Sequence, residues 1–430
     1  MSKIITDEPP LDGLASPRSN VASKNMKIET SEEKIEEVLD RGVEQVFPDR
    51  ESLKKKLMSG ERIKLYCGYD PTAPALHIGN ATTMNKLSQF QALGHEVIFL
   101  VGDFTCTIGD PTDKLAMRKK MTREEVLKNA EDYQRQAGGY LKFDGENPAK
   151  FMYNSEWNDK LTFKELIELS SNFTVQQMIQ RDMFQQRLKD EKPIYLHEFL
   201  YPLTQGYDSV AMNVDLEVGG NDQMFNMLAG RTLQKVVNDK EKFVLTLKLL
   251  ADETGKKIGK SEGNAVFLDQ EPEDMYGAVM SWTDGTIAIG FEMVTGVPMT
   301  EVVEIRKALE NEKNNPRDLK MRLAFEMVKI NHGEEAAQKA QEDFISKFQK
   351  GDVPENVQVI VATIGATLVA TIVEGKLAES NGDAKRKLKQ GGVEIDGQKI
   401  LDVNAEITRD MNGKVLKVGK KDFRKLRITN

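Results

Sequence analysis

Cysteine is almost absent. Only Cys67 and Cys106 stand in a chain of 430 residues, which excludes a disulfide scaffold and leaves too few thiolates for a zinc site built from cysteine alone. Histidine is nearly as scarce: His77, His95, His197 and His332 have no ligand-like spacing, so no protein-built metal site is expected. Long apolar runs are missing as well. The longest uncharged stretch, Asn356 to Val373, is interrupted by Thr363, Gly365, Thr367 and Thr371. It falls short of the ~20 predominantly apolar residues a membrane helix needs, and it reads as buried core. The N-terminus lacks the charged-then-apolar pattern of a secretory leader, and Asp7, Glu8 and Asp12 do not suit a transit peptide. The expected compartment is the cytoplasm, with no membrane partner.

What remains is a soluble, globular composition, with 39% hydrophobic and 30% charged residues. The length suggests about three domains at roughly 150 residues each. Charge is unevenly spread. The chain carries a net −8, yet residues 376–430 alone sum to +6 and the rest to −14. A basic module on an acidic body suits either a polyanion partner or a lysine-rich solvated face.

Residues 1–29, with Pro9-Pro10, Gly13 and Pro17, read as a flexible tail. Thr30-Ser-Glu-Glu33 fits a capping box and predicts a helix running to about Phe47. Strands are expected at 63–67, 96–101, 214–218 and 243–247, with helices at 77–93, 122–139, 173–189 and 221–237. That alternation implies βαβ units and a parallel sheet, whose ligands bind beyond the strand ends. From 271 to 350 the pattern is helical, with Met275, Tyr276, Leu309, Leu319, Met321, Leu323, Phe325 and Met327 as core candidates. The basic module predicts short helices near 365–374 and 382–389, then a hairpin.

Two loops carry the chemistry. Tyr66 to Asn80 (YCGYDPTAPALHIGN) leaves a strand on Gly68 and reaches His77 at a helix start. Helix N-termini offer free N–H groups to phosphate, and Gly68 and Gly79 permit close backbone approach. Gly255 to Asn264 (GKKIGKSEGN) sets three lysines in a glycine-bounded loop able to cover a polyphosphate. A P-loop is disfavoured, because Gly255 and Gly259 have three residues between them where four are required and Thr254 stands where the glycine should be.

Together the loops resemble the two signatures of class I aminoacyl-tRNA synthetases. Tyr66-Cys-Gly-Tyr-Asp-Pro-Thr, Ile108-Gly-Asp-Pro-Thr112, Tyr201-Pro-Leu-Thr-Gln-Gly-Tyr-Asp208 and Gly219-Gly-Asn-Asp-Gln223 are similar to the tyrosyl-tRNA synthetases, in the same order. Asp383 to Gly397 resembles the S4-type RNA-binding domain of the family's bacterial members. Two departures stand out. Asn80 replaces the second histidine of the first signature, and Ile258-Gly259 replace Met-Ser of the second.

The resemblance implies an α/β architecture. A flexible tail (1–29) would precede a Rossmann-like catalytic domain (30–265), a helical domain (266–350), a linker (351–360) and a small α+β S4-like domain (361–430). It implies that Tyr66 and Asp208 bracket the phenol hydroxyl of L-tyrosine, with Tyr66 as donor and Asp208 as acceptor. Asp110, Tyr201 and Gln205 would take its ammonium group, with Gln223 beside the carboxylate. A site built to bond a hydroxyl rejects the analogue lacking it, and tyrosine-specific synthetases are themselves the standard worked case of that rule. ATP would lie along Gly68, Asp70, Thr72, His77, Gly79, Asn80 and Asp222, with Lys257, Lys260 and Ser261 closing over the pyrophosphate and Mg²⁺ arriving with the nucleotide. The catalytic set would be Thr72, His77, Asn80, Lys257, Lys260 and Ser261. Lys385, Arg386, Lys387 and Lys389 would meet tRNA(Tyr), and a homodimer is implied. A tryptophanyl-tRNA synthetase and a non-catalytic RNA-binding relative are the rival readings. Tyr66 with Asp208 and the S4-like tail oppose the first, and the intact lysines of 257–261 with the filled tyrosine pocket oppose the second.

Overall fold

The computed structural model describes residues 27–112, 121–251, 258, 265–310, 315–349, 358–419 and 422–429. The contacts divide the chain into two compact units, Met1–Gln338 and Lys339–Asn430. The division falls within helix Glu334–Gln349.

The first unit is built on a six-stranded sheet of β1 (Val43–Phe47), β2 (Lys64–Tyr69), β3 (Glu96–Val101), β4 (Lys150–Tyr153), β5 (Leu216–Gly220) and β6 (Phe243–Leu247), in the order β1-β6-β5-β2-β3-β4. All neighbours are parallel except β1 on β6. β3 and β6 coincide with the expected segments; both are apolar, as strands covered on two faces should be. β5 begins two residues later than expected. From β2 the chain builds outward through β3 and β4, then returns to β5 on the other side of β2. The strand order reverses between β2 and β5 while the two strands stay parallel, and the crevice that such a reversal leaves beyond the carboxyl ends is where parallel sheets bind ligands.

Three expectations are corrected. The first helix stops at Asp40, and Val43–Phe47 is strand, not helix. Gly42 turns the chain at φ +65, and the Arg41 guanidinium, buried beneath it, donates to the carbonyls of Phe291, Glu292, Thr295 and Val297. Pairing with β6, some 200 residues away, therefore overrides a local helical start. The capping box does not form. Ser31 is the cap residue but makes no side-chain cap bond, and its own N–H donates to Glu29. Third, the 356–373 run is not wholly buried. β7 (Val359–Thr363) buries Ile360 and Ala362 and exposes Val359 and Val361.

Helices Pro272–Met280, Ile287–Val294, Met299–Glu310 and Pro316–His332 follow the sheet. Met275, Tyr276, Met321, Leu323 and Met327 are buried as expected, while Leu309, Leu319 and Phe325 are half-buried. Among the described residues, no helix is long and apolar enough to cross a membrane.

The second unit holds a five-stranded sheet, order β7-β11-β10-β8-β9, with β8 (Val393–Ile395), β9 (Gln398–Lys399), β10 (Val415–Val418) and β11 (Asp422–Thr429). Its core joins Leu368, Ile372, Ala384, Leu388, Val393, Leu416 and Leu426, so the helices Leu368–Glu374 and Asn381–Lys389 pack on this sheet. The expected hairpin is β10–β11.

Candidate active site

At the end of β2 the chain reaches Asp70. Its carboxylate accepts from Thr105 Oγ1 (2.7 Å) and from the Tyr201 hydroxyl (2.9 Å). The facing residue at the end of β3 is Gly102, where a Cβ would lie 2.0 Å from Asp70 Oδ1. The glycine is there to admit that carboxylate.

Helix Ile78–Ala92 starts at His77. His77 Nδ1 accepts from Gly79 N–H (3.0 Å), and Asn80 Oδ1 accepts from His77 N–H (3.0 Å). The departure at Asn80 thus completes a capping box. Gly79 is needed by the ring: a Cβ would sit 2.8 Å from His77 Cε1. Asp70, Thr72, His77 and Asn80, with Tyr69 and Tyr133, line one recess. Gly68 is exposed, with open space where a side chain would be, and Asp222 is exposed beyond β5.

The segment that follows the second loop is tied to the first. Ile78 N–H donates to Val266 O (2.8 Å) and Leu268 N–H to Leu76 O (2.9 Å), so the segment just after the lysine loop is stitched to the helix start. Lys257, Lys260 and Ser261 themselves lie outside the described residues. Ile258, between the first two, is buried, and its N–H donates to Leu250 O.

The remaining candidates fall into three groups around the crevice. Gln223 donates to Asp110 Oδ2 (2.7 Å) and Thr112 Oγ1 (3.1 Å); burial pushes the Asp110 carboxyl above its ordinary value. Asp208 is buried and accepts from Trp157 Nε1 (2.7 Å), Asn158 Nδ2 (2.9 Å) and Asn154 Nδ2 (3.2 Å). Tyr66, fully buried, shares a 2.9 Å hydrogen bond with Ser209 Oγ. Behind it Lys242 pairs with Glu217, and Gln205 donates to Glu217 Oε1 (3.0 Å). Trp157 bonds Asp208 and also packs on the apolar cluster that holds Tyr66. Among the described residues, no hydrogen bond joins Tyr66 to Asp208, and Tyr201 donates to Asp70, not to Asp110.

Sequence reasoning missed these supports. Trp157, Asn154 and Asn158 lie in no motif, though one helical turn sets them on a common face. Glu217 and Lys242 were visible only as charges next to apolar strand residues. Arg181 was missed too. It is buried, lies 4.7 Å from the Phe225 ring centroid and feels the Asp110 charge.

In the second unit, helix Asn381–Lys389 carries all four RNA-binding candidates. Lys385, Arg386 and Lys389 are exposed. Lys387 is half-buried, donating to Leu377 O (2.9 Å) and pairing with Asp383 (3.1 Å). Arg386 also meets Asp383, at 2.6 Å.

Known proteins match this arrangement along most of the chain. Residues 58–349 match the tRNA synthetases class I (W and Y), and residues 346–426 match the tyrosine–tRNA ligase SYY-like C-terminal domain. A tyrosine–tRNA ligase of Haemophilus influenzae is 42% identical, over 91% of this chain and 96% of that protein. One of Thermotoga maritima is 41% identical, over 92% and 97%. The crystal structure of a C-terminally truncated mitochondrial tyrosyl-tRNA synthetase from Coccidioides posadasii superposes with a TM-score of 0.60 at 26% identity, covering 72% of this chain and 91% of that one. Since both halves of the chain are matched, each by the part expected of it, the chain belongs to the class I tRNA synthetases of the tryptophan and tyrosine group, and within that group to the tyrosine–tRNA ligases.

Proposed function

We propose that this chain joins L-tyrosine to tRNA(Tyr) in two steps in the cytoplasm. The tyrosine carboxylate attacks the α-phosphate of ATP to give tyrosyl-adenylate and pyrophosphate, and the terminal adenosine hydroxyl of the tRNA then takes the tyrosyl group. The substrate brings its own nucleophile, so the protein's task is alignment and the placement of cations where charge develops. Tyr66 and Asp208 hold the phenol hydroxyl. Asp110, Tyr201 and Gln205 take the ammonium group, and Gln223 lies by the carboxylate. ATP lies along Gly68, Asp70, Thr72, His77, Gly79, Asn80 and Asp222. Lys257, Lys260 and Ser261 close over the departing pyrophosphate. Mg²⁺ travels with the phosphates of ATP, and Lys385, Arg386, Lys387 and Lys389 meet the RNA.

The observation that carries this reading is the crevice between β2 and β5. Tyr66, on β2, feels the charge of the acceptor Asp208, and the His77 recess is lined by Tyr69 and Asp70 at the end of the same strand. The test is tyrosine-dependent pyrophosphate exchange measured against all twenty amino acids. Exchange with tyrosine alone is expected; exchange with tryptophan, or with none, would reject the assignment.

The lysine loop should act in the transition state more than in ground-state binding. Lys260→Ala is expected to lower the single-turnover rate of adenylate formation about 10²- to 10³-fold, the usual cost of one lost transition-state contact, with little change in tyrosine KM. An unchanged single-turnover rate would remove Lys260 from the mechanism.

A homodimer belongs to the same reading. Phe163, Val175 and Leu196 are 78%, 70% and 79% exposed, and Ile167, Leu188 and Tyr195 near them in sequence are also exposed. Apolar exposure of this density marks a surface awaiting a partner. Phe163→Asp with Leu196→Asp should convert a dimer to a monomer in sedimentation equilibrium. A dimer that survives both charges would place the interface elsewhere.

A further inference from the structure

The ion pair between Lys242 and Glu217 is fully buried beneath the crevice. A pair of this kind adds little stability over an apolar pair of the same volume, because desolvation cancels most of the attraction. Its geometry suggests another use. The Lys242 ammonium donates to Glu217, to Ser209 Oγ (2.8 Å) and to Met227 O (3.1 Å). An ammonium has three protons and no acceptor, so all three are spent and Ser209 Oγ must accept.

Ser209 then has a single proton to give, and two oxygens are in reach. Tyr66 Oη is 2.9 Å away and Glu217 Oε2 is 3.5 Å away. Good O–H···O bonds span about 2.5–3.0 Å, so the proton goes to Tyr66. Tyr66 accepts it, and its own hydroxyl proton is freed to point elsewhere. Among the described residues, Asp208 is met by N–H donors alone.

We propose that Lys242, backed by Glu217 and acting through Ser209, fixes Tyr66 as a hydrogen-bond donor toward the phenol oxygen of the bound tyrosine. The inference rests on the ligase reading above and deepens it: Lys242, Glu217 and Ser209 are positioning residues for amino-acid selectivity. Donation runs one way, from Lys242 to Ser209 to Tyr66 to the substrate, and the substrate's own proton is left for Asp208. Glu217 serves a second arm, since its other oxygen receives Gln205. β2 and β5 set the alignment, for Tyr66 and Glu217 are paired in register.

The fold keeps room for this network. At Gly230, inside helix Met224–Asn238, a Cβ would lie 2.6 Å from Lys242 Nζ and 2.8 Å from Ser209 Oγ. Glycine within a helix is less stable than alanine, and here its missing side chain makes space for the ammonium and the hydroxyl.

The test uses the full chain carrying Lys242→Met with Glu217→Gln, which leaves no charge unpaired and keeps an oxygen to accept from Gln205, and separately Ser209→Ala. Pyrophosphate exchange is measured with L-tyrosine and with L-phenylalanine. Loss of the donor should lower kcat/KM for tyrosine about 10- to 50-fold, mainly through KM, the scale of one hydrogen bond to a buried group. The value for phenylalanine should stay within about twofold, because phenylalanine has no hydroxyl to lose. A general weakening of the fold would depress both amino acids together, and that result would overturn the proposal. So would unchanged tyrosine selectivity in both variants. Should the double variant fail to fold, Ser209→Ala decides alone, since it cuts the link to Tyr66 and leaves the ion pair in place. A wild-type protein without tyrosine-dependent exchange would overturn the ligase reading, and this inference with it.

Discussion

Replacing Asp208 by alanine is expected to lower kcat/KM for tyrosine about 10²- to 10³-fold, or roughly 3–4 kcal/mol. Two losses add. The phenol hydroxyl of the substrate loses its acceptor, and the N–H groups of Trp157, Asn154 and Asn158 lose theirs in a buried place. The replacement Asp208→Asn keeps the shape and turns an acceptor into a partial donor that faces three donors. It should fold and still bind tyrosine poorly. Tyrosine-dependent exchange with both variants is the measurement, and wild-type exchange in Asp208→Ala would dissolve the assigned pocket.

The same carboxyl carries a pH signature. Burial pushes it up to about 8, against the pull of the three N–H donors. With its pKa raised in the folded state, the folded protein binds more protons here than the unfolded chain between roughly pH 4 and pH 8. This contribution to stability is therefore complete below about pH 4 and is lost as pH rises through 8. Asp208→Asn should flatten that decline in denaturant midpoints measured across the window.

The second large effect concerns the basic unit. A chain ending after Lys350 is expected to keep tyrosine-dependent exchange and to lose tRNA charging by about 100-fold or more, because phosphate contacts supply much of the affinity for a nucleic acid. The described adenylation candidates lie between Tyr66 and Gln223, all in the first compact unit, while the +6 charge lies in the second. Charging by the full chain should weaken steeply between two salt concentrations, as phosphate contacts release counterions. Full charging by the shortened chain would assign RNA binding to the first unit instead.

What could be read in the sequence was local. Glu96–Val101 and Phe243–Leu247 announce themselves as strands through the apolar runs Val97–Val101 and Phe243–Leu245. His77, Asp110, Asp208 and Gln223 stand out because they sit in long, ordered motifs. What escaped was set by distance along the chain. β1 is a strand only because β6 receives it. The support of Asp208 comes from Trp157, Asn154 and Asn158, about fifty residues away. Lys242 and Glu217, 25 residues apart, look like two ordinary surface charges until adjacent strands bring them into one buried place.

The late partner of β1 also has a consequence for synthesis. About 200 residues separate Phe47 from Phe243, where its partner strand begins. At 5–20 residues per second on the ribosome, Val43–Phe47 waits about 10–40 s with its backbone unpaired. A short β-prone segment left open that long invites association with neighbouring nascent chains, and a charge within it is the usual guard. Glu44, exposed in the finished sheet, sits at the second position of this strand, where it would shield the emerging chain long before there is any pocket to build.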